Sequence, residues 1–355
     1  MTVYWLLPLA LLPWTHGASG PATPAQGETA HRYLSRTFGL SSADLRSLDE
    51  RRAFSSTLSV TDPREVGTLG IIRMAVTAEF YATQLADIAT FKRSEAVVQI
   101  GTFSKPPHLD DVRDLTLDDG DIRNLRRCRV DDCDVQLPAD LIERFRTTID
   151  WNAPDATARA NSMMRAALVD LVTRYRKAGG DALVLYADEK ERVAVAAEFR
   201  DLVESERRVL PQFPKLRQYL LTPTAPLAGA GSDVIYWSKE KAGSRRVLTV
   251  THLTILRTTS ATPTAYVAAS KQLYANHYFD ASLGLTVLVA ADAASPSTYV
   301  VYMNRSRVDT FGGLFGGVAR RIVRLRARST VSELLPRLRT RLEREFTTGR
   351  AESAR

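Results

Sequence analysis

Residues 233–257 (DVIYWSKEKAGSRRVLTVTHLTILR), 266–290 (YVAASKQLYANHYFDASLGLTVLVA) and 298–309 (TYVVYMNRSRVD) are three β-rich runs in close succession. They lead into a basic amphipathic segment, residues 311–346. β-Branched and aromatic residues alternate with polar ones along each run, as they do in strands. The tetrapeptide KAGS at 241–244 reads as a hairpin turn, and another turn is expected near Asp280 inside the second run. The closing segment carries Leu314, Phe315, Val318, Ile322, Leu325, Leu334, Leu335, Leu338, Leu342 and Phe346. Their steps of three and four residues make one apolar helical stripe. Antiparallel strands closed by a long helix predict an α+β fold: a curved antiparallel sheet gripping a C-terminal helix, with an apolar cavity between them.

Upstream, residues 66–76 (VGTLGIIRMAV) read as a buried strand. Thr77 is placed to cap a helix whose apolar face is Tyr81, Leu85, Ile88 and Phe91. A second strand follows at 96–103 (AVVQIGTF). Residues 105–231 change character and read as a mainly helical insertion with a cysteine loop; Pro223, Pro226 and the glycines at 229 and 231 mark its end. Residues 26–60 form a leader and short N-terminal helices, one of them over 43–54 behind Ser42. The predicted organisation is therefore 1–25 signal peptide, 26–60 leader, 61–104 first part of the sheet domain, 105–231 insertion, 232–348 sheet and helix, and 349–355 tail.

This order of strand, helix, strand, antiparallel strands and long terminal helix resembles the START-like, or helix-grip, superfamily of lipid-binding domains. The resemblance covers residues 66–103 and 233–346. It implies a seven-stranded sheet wrapped around the last helix, a hydrophobic tunnel and a lipid-like ligand. It implies no catalytic residues, because the superfamily shares none.

At 45% hydrophobic and 25% charged residues the chain has a globular rather than a disordered composition. Residues 305–350 hold twelve arginines against four acids, so the formal excess of +8 sits almost wholly there. Such a band is either a solvated helix face or a docking surface for anionic membrane, through Arg320, Arg321, Arg324 and Arg328. Nucleic acid is not expected, because aromatics do not alternate with the arginines. Residues 1–25 read as a secretory signal: an apolar run over 3–14, then small residues, in a stretch too short for a stable anchor. No Lys or Arg precedes that run. The protein is expected to be exported, to the periplasm or outside the cell. Cys128 and Cys133 are the two cysteines, and an oxidising compartment favours a disulfide between them. Zinc would need further His or Cys nearby, and Asp118, Asp119 and Asp121 do not fit a calcium loop. No metal or cofactor is expected.

The predicted ligand-lining residues are Tyr236, Trp237, His252, Gln272, Tyr274, Asn276, Tyr278 and Phe315. Strict alternation puts Gln272, Tyr274, Asn276 and Tyr278 on one face, either inward or wet. His252 shares a face with Leu248 and Val250, which makes it a core histidine or a general base. His277, beside Asp280 in sequence, is the other candidate base, with Tyr274 as donor. Lys239 and Glu240 are placed to pair across the hairpin. Arg305 and Arg307 face the same way, as anion-binding forks or exposed strand residues. Three functions are compatible with these features: an exported binder of an apolar small molecule, an enzyme using His252 or His277, or a non-catalytic envelope interaction module.

Overall fold

The computed structural model describes residues 28–222, 227, 230–243, 245–258, 263–291, 296–308 and 316–353, with side chains of the last helix described over 328–351. The predicted signal segment, Phe315 and the side chains of Arg320, Arg321 and Arg324 lie outside the described residues. Two short helices open the chain, α1 (Ala30–Phe38) and α2 (Ser42–Asp49), each started by a hydroxyl cap, Thr29 and Ser41. The helix expected over 43–54 ends at Asp49. Arg51, at φ 66°, turns the chain, and Phe54–Thr57 becomes strand β1. Then come β2 (Glu65–Met74), α3 (Ala78–Ala86) capped by Thr77, α4 (Ile88–Phe91) and β3 (Val97–Thr102). The insertion contributes α5 (Asp119–Leu125), α6 (Ala139–Thr148), α7 (Ala156–Ala178), the short β4 (Leu185–Tyr186) and β5 (Val193–Ala194), α8 (Val195–Ser205) and α9 (Pro214–Leu221). Five long strands follow: β6 (Ala230–Ala242), β7 (Arg245–Arg257), β8 (Thr264–Ala275), β9 (Phe279–Ala290) and β10 (Thr298–Val308). Helix α10 (Gly316–Ser353) closes the chain. Gly243, at φ 63°, makes the predicted β6–β7 turn, a conformation that glycine adopts without steric cost.

The main sheet has eight strands in the order β1-β2-β10-β9-β8-β7-β6-β3, every pair antiparallel. The insertion leaves β3 and returns to its neighbour β6, so the sheet stays continuous. Register shifts in the β3–β6, β6–β7, β7–β8, β8–β9 and β9–β10 pairs bend the strands, as bulges do.

Both faces are covered. On the first, α1, α2, α8 and α9 bury Tyr33, Leu48, Phe199 and Leu220 against Leu69, Val287 and Met303. Helices α6 and α7 continue that layer over β6 and β7, with Phe145 and Leu171 on Trp237 and Val250. On the second face, α3, α4 and α10 cover Ile72, Leu253, Ile255, Leu288 and Val300. The buried stripe of α10 is Val331, Leu335 and Leu342, with Leu338 and Phe346 partly buried. Leu334, expected in the stripe, is 52% exposed, and Val331 takes its place. Around the stripe, Glu343 accepts from the Ala75 amide at 2.7 Å, Arg341 donates to the Phe91 carbonyl at 2.8 Å, and Phe346 meets Phe80 ring to ring at 5.0 Å. Arg328 and Arg344 face solvent, whereas Arg339 is half-buried and donates to the Arg51 carbonyl.

Gly70 sets how closely α10 approaches β2. A Cβ there would stand 2.3 Å from Val331 Cγ1 and 2.7 Å from Leu335 Cδ1. Gly70→Ala is therefore expected to cost about 2 kcal/mol in denaturant unfolding. Combining it with Val331→Ala should cost at least about 1 kcal/mol less than the sum of the two single changes. Strict additivity would mean that the helix does not sit on this glycine.

Candidate ligand-binding site

Residues opposite one another in the ladder share a face, so the second face can be followed row by row. At one end Ile72, Val300 and Leu288 stand in line, buried beneath α3. The next row is Gly70, Tyr302, Thr286 and Ala268. Then come Thr68, Asn304, Gly284, Ser270 and Leu253, and beyond them Val66, Ser306 and Ser282. Gln272, Thr251 and Tyr236 continue the polar end across β8, β7 and β6. The face changes from apolar to polar along its strands. None of these polar residues is exposed. Ser270, Ser282, Thr286, Tyr302 and Asn304 are half-buried, and Thr68, Thr251, Gln272 and Ser306 are buried. A solvent-washed face would be open and a dry core would be apolar. This one is a shielded polar floor.

Lys92, from the turn after α4, stands at its edge. Its ammonium donates to Glu240 at 2.7 Å and lies 5.4 Å from the centre of the Tyr236 ring. Ser238 also donates to Glu240, at 2.6 Å. Burial alone would lower the Lys92 pKa, but Tyr236 and Glu240 outweigh it and hold it above its usual value. Burial alone would raise Glu240, and Lys92 outweighs it. Burial also raises the Tyr302 phenol. Yet Lys92 and Glu240 keep 26% and 32% of their side-chain surface open. The pair at this edge is thus both desolvated and partly open to solvent.

The structure brings only part of the predicted set here. Tyr236 and Gln272 lie on this face, while Trp237, His252 and Tyr274 lie on the other. The alternation fails at Leu273. The register passes from Val250–Tyr274 to Thr251–Gln272, leaving Leu273 as an extra residue. This bulge puts Gln272 and Tyr274 on opposite faces. Tyr274 donates to the Gln136 carbonyl at 3.0 Å, and Trp237 donates to the Asp111 carbonyl at 2.8 Å under Gly101. Tyr278 occupies the β8–β9 turn at φ 68°. Lys239 and Glu240 do not pair with each other. They point to opposite faces, Lys239 to Asp118 at 3.1 Å and Glu240 to Lys92.

His252 is buried on the first face, between Asp233 at Nε2 and the Tyr175 hydroxyl at Nδ1, the latter 2.9 Å away. The carboxylate only accepts, so Nε2 carries the proton and Tyr175 donates to Nδ1. Tyr219 donates to the other Asp233 oxygen at 3.1 Å. Burial lowers the histidine pKa, partly offset by Asp233. His277 is equally engaged. Its acid is Asp121, 2.8 Å from Nε2, and not Asp280, which pairs with Arg64. Arg245 donates to Nδ1 at 3.3 Å, and Asn276 fills the second Asp121 oxygen at 3.0 Å. Arg245 also holds Asp134, next to the Cys128–Cys133 disulfide. These contacts fasten the insertion to the sheet and leave neither ring a nitrogen for a substrate. Arg305 and Arg307 are buried forks that hold the chain's own carboxylates, Glu65 and Glu206 for the first, Asp62 and Glu198 for the second.

Sequence reasoning passed over Lys271. It is 2% exposed, donates to the Leu220 carbonyl at the end of α9 (2.9 Å), and packs on the Tyr175 and Phe199 rings. No carboxylate pairs with it among the described residues. Burial pushes its pKa down to about 7. A small crevice of about 40 Å³, open at its mouth, lies between α6 and α7 above Tyr274. Among the described residues no group of His, Cys, Asp and Glu could hold a metal ion. Comparisons with protein-family models, curated proteins and solved structures found no match to this chain.

The buried lysine gives a signed expectation. Its folded pKa lies below the unfolded value of about 10.4, so it weakens the fold increasingly as pH falls from about 10.4 to 7. Lys271→Met should raise unfolding stability at pH 7 by about 2 kcal/mol, after allowing for the lost bond to Leu220. The gain should shrink toward pH 10. A loss of stability at pH 7 would show that the ammonium stabilises the fold.

Proposed function

We propose that this is an exported binding protein of the helix-grip kind, holding an apolar or lipid-like small molecule between the sheet and the C-terminal helix. The observation that carries this reading is the shielded polar floor on the helix-covered face, continuous with apolar rows. A non-catalytic interaction module has no need of a recessed polar face, and a filled, dry interface would favour it. Seven of the eight strands, the α3–α4 pair between the first two of them and α10 at the end keep the element order on which the helix-grip resemblance rests. Fold alone does not fix function, so the weight rests on the floor. The Cys128–Cys133 disulfide accords with an oxidising compartment. The enzyme reading draws no support from His252 or His277, whose ring nitrogens are all engaged.

After delipidation, at least one of a set of fluorescent fatty-acid, sterol and isoprenoid probes should bind saturably and be displaced by an unlabelled competitor. Binding of all of them no better than to a control protein would remove this function.

The basic band of α10, Arg320, Arg321, Arg324 and Arg328, is proposed to meet anionic membrane during ligand exchange. No helix among the described residues is long and apolar enough to cross a membrane, and Arg328 faces solvent. Each arginine near such a surface contributes about 1 kcal/mol at low salt. Co-sedimentation with vesicles should rise with anionic lipid content and fall with salt. Equal binding to neutral and anionic vesicles, or none to either, would make the band a solubility feature.

A further inference from the structure

The chemistry of the polar floor narrows the ligand. Asn304 donates to Ser282 at 3.1 Å and accepts from Ser306 at 2.8 Å, and the two serine hydroxyls lie 2.8 Å apart. With its other amide N–H turned to the Tyr302 hydroxyl, Asn304 keeps a carbonyl lone pair. The hydroxyls of Ser270 and Thr286 have no partner among the described residues, and both are half-buried. Gly284 sits between Ser270 and Asn304 in the ladder. A Cβ there would meet nothing nearer than 3.4 Å, so the glycine leaves a flat space between them. The row from Ser270 to Asn304 crosses two strand spacings, roughly 10 Å, about the span of one or two sugar rings.

Charge is absent from the polar rows, while the apolar end row runs on through Tyr266 to the exposed Arg257. The described residues on the polar rows are Ser, Thr, Asn, Gln, Tyr, Gly and aliphatic residues. Two of the described ionic groups beside the floor are already paired: Lys92 with Glu240 at 2.7 Å, and Arg341 with Glu345 at 3.8 Å. An anionic or cationic head would give up its hydration and find no counter-charge among the described residues of the polar rows. A neutral head carrying several hydroxyls would find donors and acceptors together, which suits hydroxyls because each both gives and accepts.

We infer that the ligand is an amphiphile whose head is uncharged and hydroxyl-rich, a glycosyl or polyol group seated on Ser270, Gly284, Thr286, Tyr302 and Asn304. This rests on the proposed binding site between sheet and helix.

The test is calorimetric titration of the full mature chain with decyl maltoside, decanoate, decyltrimethylammonium and decanol, each below its micellar concentration. Decyl maltoside should bind at least about tenfold more tightly than either charged amphiphile. Removing single neutral hydrogen bonds with Ser270→Ala or Thr286→Val should each reduce the maltoside-to-decanoate preference by roughly fivefold to tenfold. These small substitutions remove a hydroxyl from half-buried positions, and circular dichroism confirms that the fold is kept. Equal or tighter binding of a charged head, or an unchanged preference in both variants, would overturn the head-group assignment while leaving a ligand site in place. Binding of none of the four would overturn the site as well.

Discussion

Gly70 carries no side chain, and Val331 and Leu335 of α10 fill the space where one would stand. That contact fixes the height of the closing helix above β2. The bonds of Glu343 to Ala75 and Arg341 to Phe91, and the packing of Phe346 on Phe80, fix its direction. Close approach of a helix to a sheet is favourable only where side chains interdigitate without overlap. With α10 seated over β1 and β2, and α3 over the apolar rows of β8 and β9, the polar rows between them become a sheltered floor.

The two faces of one sheet have opposite characters. The first is closely packed by helices, and apart from Lys271 the ionic groups described on it are bound among themselves. His252 and His277 join the insertion to the sheet, and Arg305 and Arg307 are surrounded by acids from the strands and α8. Such buried polar groups add little net stability, but they disfavour misplacement of the helices, because a shifted helix would leave a charge or hydrogen bond unpaired. On the second face the half-buried Ser270 and Thr286 hydroxyls have no partner among the described residues. Buried polar groups are normally satisfied by protein or ordered water, and those two hydroxyls are where the proposed binding surface is placed.

Much of the fold was legible in the sequence. The strand runs, the Thr77 cap and the hairpin turn at Gly243 are local patterns that formed where periodicity and turn chemistry placed them, and the last helix formed with Leu334 outside its buried stripe. Strand β1 was hidden because only pairing with β2 makes Phe54–Thr57 extended. Less of the candidate site was legible. Gln272 and Tyr236 were found, but a single bulge residue, Leu273, moved Tyr274 to the far face, and no period-two rule reveals a bulge. Ser270, Gly284, Thr286 and Asn304 were passed over because small polar residues look alike on a wet strand and on a recess floor. Only their alignment across β8, β9 and β10 separates the two. The partner of His277 was misassigned to its sequence neighbour Asp280, when the nearest carboxylate in space is Asp121, far back along the chain. Lys271 carried no signal, since one lysine in a strand gives no hint of burial.

The central claim is that the helix-covered face holds a small amphiphile in the native protein. Native mass spectrometry of protein purified gently, without detergent or delipidation, tests it most directly. The account predicts a discrete adduct on the folded chain that organic extraction removes and that fragmentation identifies as a neutral, hydroxyl-bearing amphiphile. A folded chain that carries only its polypeptide mass, and that acquires no adduct when mixed with a lipid extract of its source cells, would contradict it.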